Sequence, residues 1–353
     1  MWRKIVLWVV LVGCGFQSNA VPGDGSPGSR DSAVVEVDAA SDPKPASDAR
    51  VAGDARVTVD ASVPVDAAVD APPAPAGCLG QWLAGDPKIA SPSELMALTT
   101  TGQERDPWIS ADGLTLYFSR DPQGSVKSDV VRASRSSTTQ PFGNVVVPAN
   151  LNTNANETRA SLTADDRTLV LSSDRDGQSD IYLATRNPSE IEFPSPSTDF
   201  TVNVNTPATL HLDPFLNADG TRLYLAPFSP PGQSQRIVVA TRTSGNPQFS
   251  TPVAVAGIAS PGANDADPAV TADERIIVFS SNRGGGGGGK TDLWYATRSD
   301  LQHDFGAPRP IPKVNGGDED GDPMLSADGC VLYFASTRKG GGNYHLYTAK
   351  LTP

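Results

Sequence analysis

The stretch Asp106-Pro107-Trp108-Ile109-Ser110-Ala111-Asp112-Gly113-Leu114-Thr115-Leu116-Tyr117-Phe118-Ser119 decides the fold, because it occurs five times. It returns as Arg159 to Ser172, Asp213 to Ala226, Asp267 to Ser280 and Asp322 to Ala335. The turn aspartates Asp112, Asp165, Asp219, Asp273 and Asp328 stand 53, 54, 54 and 55 residues apart. A period that regular is the mark of a repeat architecture.

Each unit reads as the same series of elements. A short strand such as Trp108 to Ser110 runs into an Ala-Asp-Gly turn, with Gly113, Gly220 and Gly329 where positive φ is needed and Asp166 and Glu274 in their place elsewhere. A second strand follows, apolar on both faces as in Leu332-Tyr333-Phe334, which calls for cover on both sides. A third strand (Asp129 to Arg135, Asp180 to Arg186, Arg236 to Arg242, Asp292 to Arg298, His345 to Lys350) comes after a loop of variable length. A Phe/Pro-rich segment (Phe142 to Val147, Phe249 to Val255, Phe305 to Val314) supplies an outer fourth strand, where proline is tolerated. Four antiparallel strands with two apolar faces make a propeller blade, and blades must stack to bury those faces.

The count predicts a ring. The fifth unit ends at Pro353 without a fourth strand, and a spare one, Ser93 to Leu98, precedes the first unit. The expected fold is all-β: a five-bladed propeller with four-stranded blades over 78–353, closed by that N-terminal strand. Cys78 precedes the spare strand and Cys330 lies in the last blade, so a disulfide between them would lock the ring.

The first 77 residues differ in kind. Met1-Trp2-Arg3-Lys4 and the apolar run Ile5 to Val12 have the layout of a secretory signal, too short to span a bilayer as a mature helix. Leu11-Val12-Gly13-Cys14 resembles a bacterial lipobox. That resemblance implies a signal peptide over 1–13, lipid on Cys14 and a place in the cell envelope, at the outer membrane by analogy because Phe16 and not an aspartate follows Gly15. Residues 14–77 are rich in Ala, Val, Asp and Pro and bury too little apolar area to fold, so a disordered tether is expected.

The Asp-Pro-x-x-Ser-Ala-Asp-Gly…Leu-Tyr-Phe-Ser…Asp-Ile-Tyr pattern is similar to the PD40, or WD40-like, repeats of the TolB propeller family, over about residues 87–353. The resemblance implies the fold and leaves function open, since such repeats serve translocation proteins, peptidase propellers and lipoproteins alike. No N-terminal α/β domain of the TolB kind is visible, and there are five repeats where TolB has six blades.

Composition narrows the chemistry. The net charge of −12 argues against a nucleic-acid partner. Three histidines and three cysteines are too few for a His/Cys zinc cage, and no resident cofactor is expected. Gly284 to Gly289 with Lys290-Thr291 matches a phosphate loop in letters, yet the strand Asp292 to Arg298 follows where a helix is required, so no nucleotide is expected. Asp318-Glu319-Asp320-Gly321-Asp322 alternates acids as calcium loops do but lacks their distal Glu.

Two repeat positions carry the candidate site. One reads Asp106, Arg159, Asp213, Asp267 and Asp322; two residues earlier the other reads Glu104, Glu157, His211, Asp265 and Asp320. Fivefold repetition should gather them into an acidic ring at one mouth of the channel. It would serve to bind a cationic or polar ligand, or the acids would cap nearby backbone amides. Asp129, Asp180 and Asp292 are expected to pair with Arg175, Arg283 and Arg338 between strands. The functional expectation is a non-enzymatic envelope lipoprotein binding a protein or cell-wall ligand. The alternative is a carbohydrate-active enzyme using two ring carboxylates.

Overall fold

The computed structural model describes residues 77–352 apart from 123, 124, 126, 229–233, 244–245 and 285–289. The expected signal peptide, Cys14 and, up to residue 76, the expected tether lie outside the described residues.

The inner strands come first in each blade because the Asp-Pro segments feed straight into them. Blade 1 is β2 (Gln103–Ile109), β3 (Thr115–Asp121), β4 (Asp129–Ser134) and β5 (Gly143–Val146). Blade 2 is β6 (Glu157–Leu162), β7 (Thr168–Ser173) and β8 (Asp180–Thr185), its fourth strand reduced to one bridge between Leu183 and Ser197. Blade 3 is β9 (Phe215–Leu216), β10 (Arg222–Leu225), β11 (Val238–Thr241) and β12 (Val253–Ala254); blade 4 is β13 (Asp265–Val270), β14 (Ile276–Ser281), β15 (Asp292–Thr297) and β16 (Arg309–Pro310). Blade 5 is β17 (Asp320–Leu325), β18 (Val331–Ser336) and β19 (His345–Lys350), completed by β1 (Ser93–Glu94).

β1 pairs antiparallel with β19, Ser93 opposite Thr348 and Glu94 opposite Tyr347, so the spare strand closes the ring. Cys78 and Cys330 form a disulfide beside that closure, their Cα atoms 5.0 Å apart. The short helix α1 (Cys78–Leu83) is not foreseen in the sequence reading. It forms because the disulfide pins its first residue to the sheet and its apolar side chains find cover. Trp82 is fully buried, stands edge-on to Tyr295 of blade 4 with centroids 5.1 Å apart, and donates its indole N–H to the Gly329 carbonyl of blade 5. Gly329 is obligatory there: its φ is +68°, and a Cβ would sit 2.6 Å from Leu79 of α1.

A second repeated device is spaced by seven residues. Arg135, Arg186, Arg242 and Arg298 end the third strands and stack on Phe142, Phe193, Phe249 and Phe305 at 4.3 to 4.6 Å. Each Nε donates to the carbonyl of the turn residue in its own blade, Gly113, Asp166, Gly220 or Glu274. The stack and the bond together tie strand three to the turn before strand two and to the outer strand. In the closing blade Leu351 takes the arginine's place, and Ile89, bridged to it, takes the phenylalanine's.

The disulfide closes a loop of 252 residues around the ring. Replacing Cys330 by Ala should lower unfolding stability by up to about 5 kcal/mol in the chain-entropy account. Denaturant unfolding of the two proteins measures this, and equal midpoints would show that strand pairing alone secures the ring.

Candidate functional site

Both candidate positions lie inside the inner strands of blades 1, 2, 4 and 5, not ahead of them; in blade 3, His211 and Asp213 precede β9. The strand expected to begin at Trp108 begins at Gln103, and a bulge between Arg105 and Trp108 carries it past the ring position. Equivalent register shifts interrupt blades 2, 4 and 5. At each bulge one residue enters the left-handed region: Asp106, Arg159, Asp213, Asp267 and Asp322 have φ between 53° and 57°. Aspartate tolerates this conformation, while for Arg159 it costs on the order of 1 kcal/mol or more. The proline that follows each aspartate removes an N–H the bulge would leave unpaired; Ala160 follows Arg159 instead.

The bulge points these five side chains at the axis, where they meet. Arg159 Nη1 lies 3.2 Å from Asp322 Oδ1, 3.6 Å from Asp267 Oδ1 and 3.8 Å from Asp106 Oδ1, and Nη2 donates to the Pro268 carbonyl at 3.4 Å. Asp213 Oδ2 accepts from Gln235 Nε2 at 3.4 Å. The carboxylates also hold the backbone of neighbouring blades. Asp322 Oδ2 accepts from the Asp106 amide at 3.3 Å, Asp267 Oδ2 from the Asp322 amide at 3.4 Å, and Asp213 from the Asp267 amide. The chain of carboxylate-to-amide bonds thus runs from blade 3 through 4 and 5 to 1. It breaks at blade 2, where the Arg159 amide donates to Ser119 Oγ.

Four carboxyls face one guanidinium in a nearly dry channel. Burial, with Asp267 and Asp106 nearby and Arg159 opposing, holds the Asp213 carboxyl well above the usual range. Burial, then Asp106 and Asp267, does the same to Asp322. Burial and crowding thus favour the protonated forms of Asp213 and Asp322, and the Arg159 guanidinium opposes that shift. On the opposite side the channel is apolar, a shallow depression of about 70 Å³ lined by Trp108, Leu162, Phe215, Val270 and Leu325.

The other five predicted residues do not join this ring. They sit at the seams between blades, each in a clasp. Glu157 accepts from Thr153 Oγ1, Ser173 Oγ and Arg175 Nη2 at 2.6, 2.8 and 3.2 Å. Asp265 takes Ser281 Oγ and Arg283 Nη2 at 2.6 and 2.5 Å, and Asp320 takes Arg338 Nη2 at 2.5 Å. Glu104 lies 3.4 Å from Arg120 Nε and 2.9 Å from His345 Nδ1. The same arginines reach the carbonyls of Leu98, Leu151, Ile258 and Val314, stapling the entry segment of the blade. Arg175, Arg283 and Arg338 therefore pair with Glu157, Asp265 and Asp320, and not with Asp129, Asp180 and Asp292 as their sequence positions led us to expect. Strand pairing sets the Arg one strand from the inner acid, while the third-strand Asp faces the next blade.

Blade 3 departs at both ends of the clasp at once. His211 replaces the acid and no arginine follows strand two. Its Nε2 accepts from the Thr206 amide at 3.2 Å and its Nδ1 lies 3.1 Å from Asp180 Oδ1. The proton therefore sits on Nδ1, and burial lowers the imidazole pKa and keeps it neutral. The acidic run Asp318 to Asp322 is likewise split between structural tasks: Glu319 accepts from the Thr291 amide, Asp320 joins a clasp and Asp322 the ring. Among the described residues no three His, Cys, Asp or Glu side chains are arranged to hold a metal ion. Lys290 and Thr291 lead into β15, a strand.

No protein-family model and no curated protein matches the sequence. Solved structures do match. The catalytic domain of the GH62 alpha-L-arabinofuranosidase from Coprinopsis cinerea aligns with a TM-score of 0.51 at 11% identity, covering 75% of this chain and 98% of that one. The alpha-L-arabinofuranosidase of Podospora anserina, solved with cellotriose, gives 0.52 at 10%, covering 76% and 97%. The fold is a five-bladed propeller. A putative TolB from Agrobacterium tumefaciens gives 0.42 at 15% identity over 71% of this chain and 78% of its own. At these identities the likeness is one of fold alone.

Two substitutions test the electrostatics. Arg159→Leu removes the only cation that, among the described residues, contacts the ring carboxylates, and should cost about 3–5 kcal/mol at pH 7, with recovery as the pH falls and Asp213 and Asp322 protonate. A loss independent of pH would contradict the charge account. At the blade 4–5 seam, Asp292 Oδ1 and Asp320 Oδ2 are both buried without a partner. Burial, then Asp320 and Glu319, raises the Asp292 carboxyl to about 6. A folded-state pKa above the unfolded one favours the protonated form, so the contribution is intact below pH 4 and is lost as the pH rises through 6. Asp292→Asn should abolish that slope and stabilise the protein at pH 7.5, by about 2 kcal/mol at most, as thermal unfolding across pH will show.

Proposed function

We propose that the chain is a lipid-anchored protein of the cell envelope whose propeller binds a protein or cell-wall ligand without turning it over. One observation carries the non-enzymatic part: the guanidinium of Arg159 occupies the space among Asp106, Asp267 and Asp322. Glycoside hydrolysis needs two carboxyls with the sugar between them. Here the carboxylates hold Arg159 and the amides of adjacent blades. The envelope part rests on the lipobox-like Leu11-Val12-Gly13-Cys14 and the tether composition.

The second reading, a carbohydrate-active enzyme, has one observation in its favour. Asp213 and Asp322 are desolvated carboxyls whose pKa is pushed up, the direction a general acid requires. The full chain is therefore to be assayed on aryl glycosides and plant and bacterial polysaccharides, beside co-sedimentation with isolated envelopes. Binding without hydrolysis is expected, and Cys14→Ser should move the protein from the membrane to the soluble fraction. Hydrolysis abolished by Asp213→Asn would replace the binding reading with the enzymatic one.

A further inference from the structure

The five blades share a rule at their seams, and one seam breaks it. The middle residue of strand two is Tyr117, Val170, Tyr224, Val278 or Tyr333; the turn residue of the next blade is Asp166, Gly220, Glu274, Gly329 or Gly113. Tyrosine goes with an acid at blades 1–2 and 3–4, and valine with glycine at 2–3 and 4–5. Between blades 5 and 1, Tyr333 meets Gly113, and no acid comes with it.

The blade 3–4 seam shows what the acid does. Glu274 is buried, and its Oε2 accepts from the Tyr224 hydroxyl at 2.5 Å and lies 3.6 Å from Arg298 Nη2 and 3.4 Å from Arg222 Nη1. Oε1 accepts from Asn217 Nδ2 at 2.8 Å. At blades 1–2, Asp166 pairs with Arg186 at 3.2 Å beside Tyr117. At blades 3–4 the carboxylate satisfies a buried phenol and an arginine together, whereas at blades 1–2 the Tyr117 hydroxyl meets Arg132 and Asp166 binds the arginine alone.

The blade 5–1 seam keeps the receivers and lacks the carboxylate. Tyr333 is buried, and its hydroxyl accepts from Arg135 Nη2 at 3.3 Å, as Tyr224 does from Arg298 at 3.5 Å. Arg135 is held by Phe142 at 4.3 Å and by the Gly113 carbonyl at 2.7 Å, and among the described residues it forms no ion pair. In place of the acid there is a groove of about 920 Å³, onto which Gly113, Arg135, Tyr333, Phe142, Met96 and Lys350 open. Asp112 and Asp328 border it, but the Oδ1 of each is bound within its own turn. The other glycine seams differ. A Cβ on Gly220 would lie 2.9 Å from the Thr163 methyl, against 3.2 Å from the Thr138 methyl at Gly113, and Arg242 there bonds the Pro247 carbonyl while Val170 stands where the phenol would be. Gly329 is covered by Leu79 of α1.

We propose that the blade 5–1 groove binds an acidic peptide, seating a glutamate side chain where Glu274 lies in the blade 3–4 seam. Arg135 supplies a charge-assisted bond and Tyr333 a hydroxyl donor, while Phe142 and Met96 offer apolar cover to the adjoining residue. The match of charge selects the class: an unpaired guanidinium and a buried phenol receive a carboxylate and leave an amide poorly satisfied. The proposal rests on the reading of the propeller as a binding domain and gives that domain a ligand chemistry and a place.

The test uses the full chain, isotope-labelled, titrated with acetyl-Ala-Glu-Ala-amide and with its Gln counterpart. The Glu peptide should bind at least about tenfold more tightly, the factor expected for one charge-assisted hydrogen bond, with shifts centred on Gly113, Arg135 and Tyr333. Arg135→Gln should abolish the preference. Gly113→Glu and Gly113→Asp place the missing acid inside the protein, at a φ of +70° close to those of Glu274 and Asp166. At least one of them should raise the melting temperature and block the peptide. Equal affinity for the two peptides, no binding, or binding undiminished in both glycine variants overturns the site. Envelope co-sedimentation, measured on the same proteins, separates the outcomes: a peptide that fails while envelope binding persists removes the groove and leaves the binding reading standing.

Discussion

Closure of the ring is the constraint on which everything else depends. Five blades with two apolar faces each are stable only as neighbours, and a linear chain must supply the last contact from its other end. Here the pairing of Ser93–Glu94 with β19 is only two residues long. It is reinforced by the Cys78–Cys330 disulfide and by Trp82, which reaches from α1 to blades 4 and 5. The strand gives register, the disulfide limits the open chain, and the indole fills the space beside it. Only with the circle complete do the five bulges face a common axis.

The axis then imposes its own chemistry. Any side chain repeated five times toward a channel meets its copies, and five aspartates would meet as five negative charges in a low dielectric. Arg159 at the second position offsets that repulsion, while burial and crowding still push the Asp213 and Asp322 carboxyls up. The aspartates also accept the amides of adjoining blades, so the same groups link blades and create the electrostatic demand. This double use explains why the acids follow the repeat so closely and why the one departure from it is a cation.

Departures from the repeat are paired throughout the molecule. Where His211 replaces an acid, the arginine that would bind it is missing, and Asp180 takes over as partner. Where a turn acid appears, a tyrosine stands across the seam to receive it. Burial forces such pairing, because an unmatched polar group in a seam costs about 1–3 kcal/mol. Tyr333 opposite Gly113 departs from this pattern: Arg135 is its partner and no carboxylate joins the two, at the seam with the large groove.

The sequence by itself determined the number of blades, the order of strands and the closing strand, because hydrophobic alternation and turn chemistry are local and recur at a fixed period. The Arg-to-Phe spacing of seven was legible too, though its meaning was not. Only the tertiary structure separated the two acidic positions. Glu104 and Asp106 are two residues apart and on an ordinary strand would share a face; the bulge at Asp106 sends one to a seam and the other to the axis. That turn of the backbone depends on a left-handed residue whose amide is held by a carboxylate of another blade, and a contact between distant segments leaves no periodic trace in the chain. The same holds for Tyr333 and Gly113, whose sequence separation hides the fact that the ring makes them neighbours.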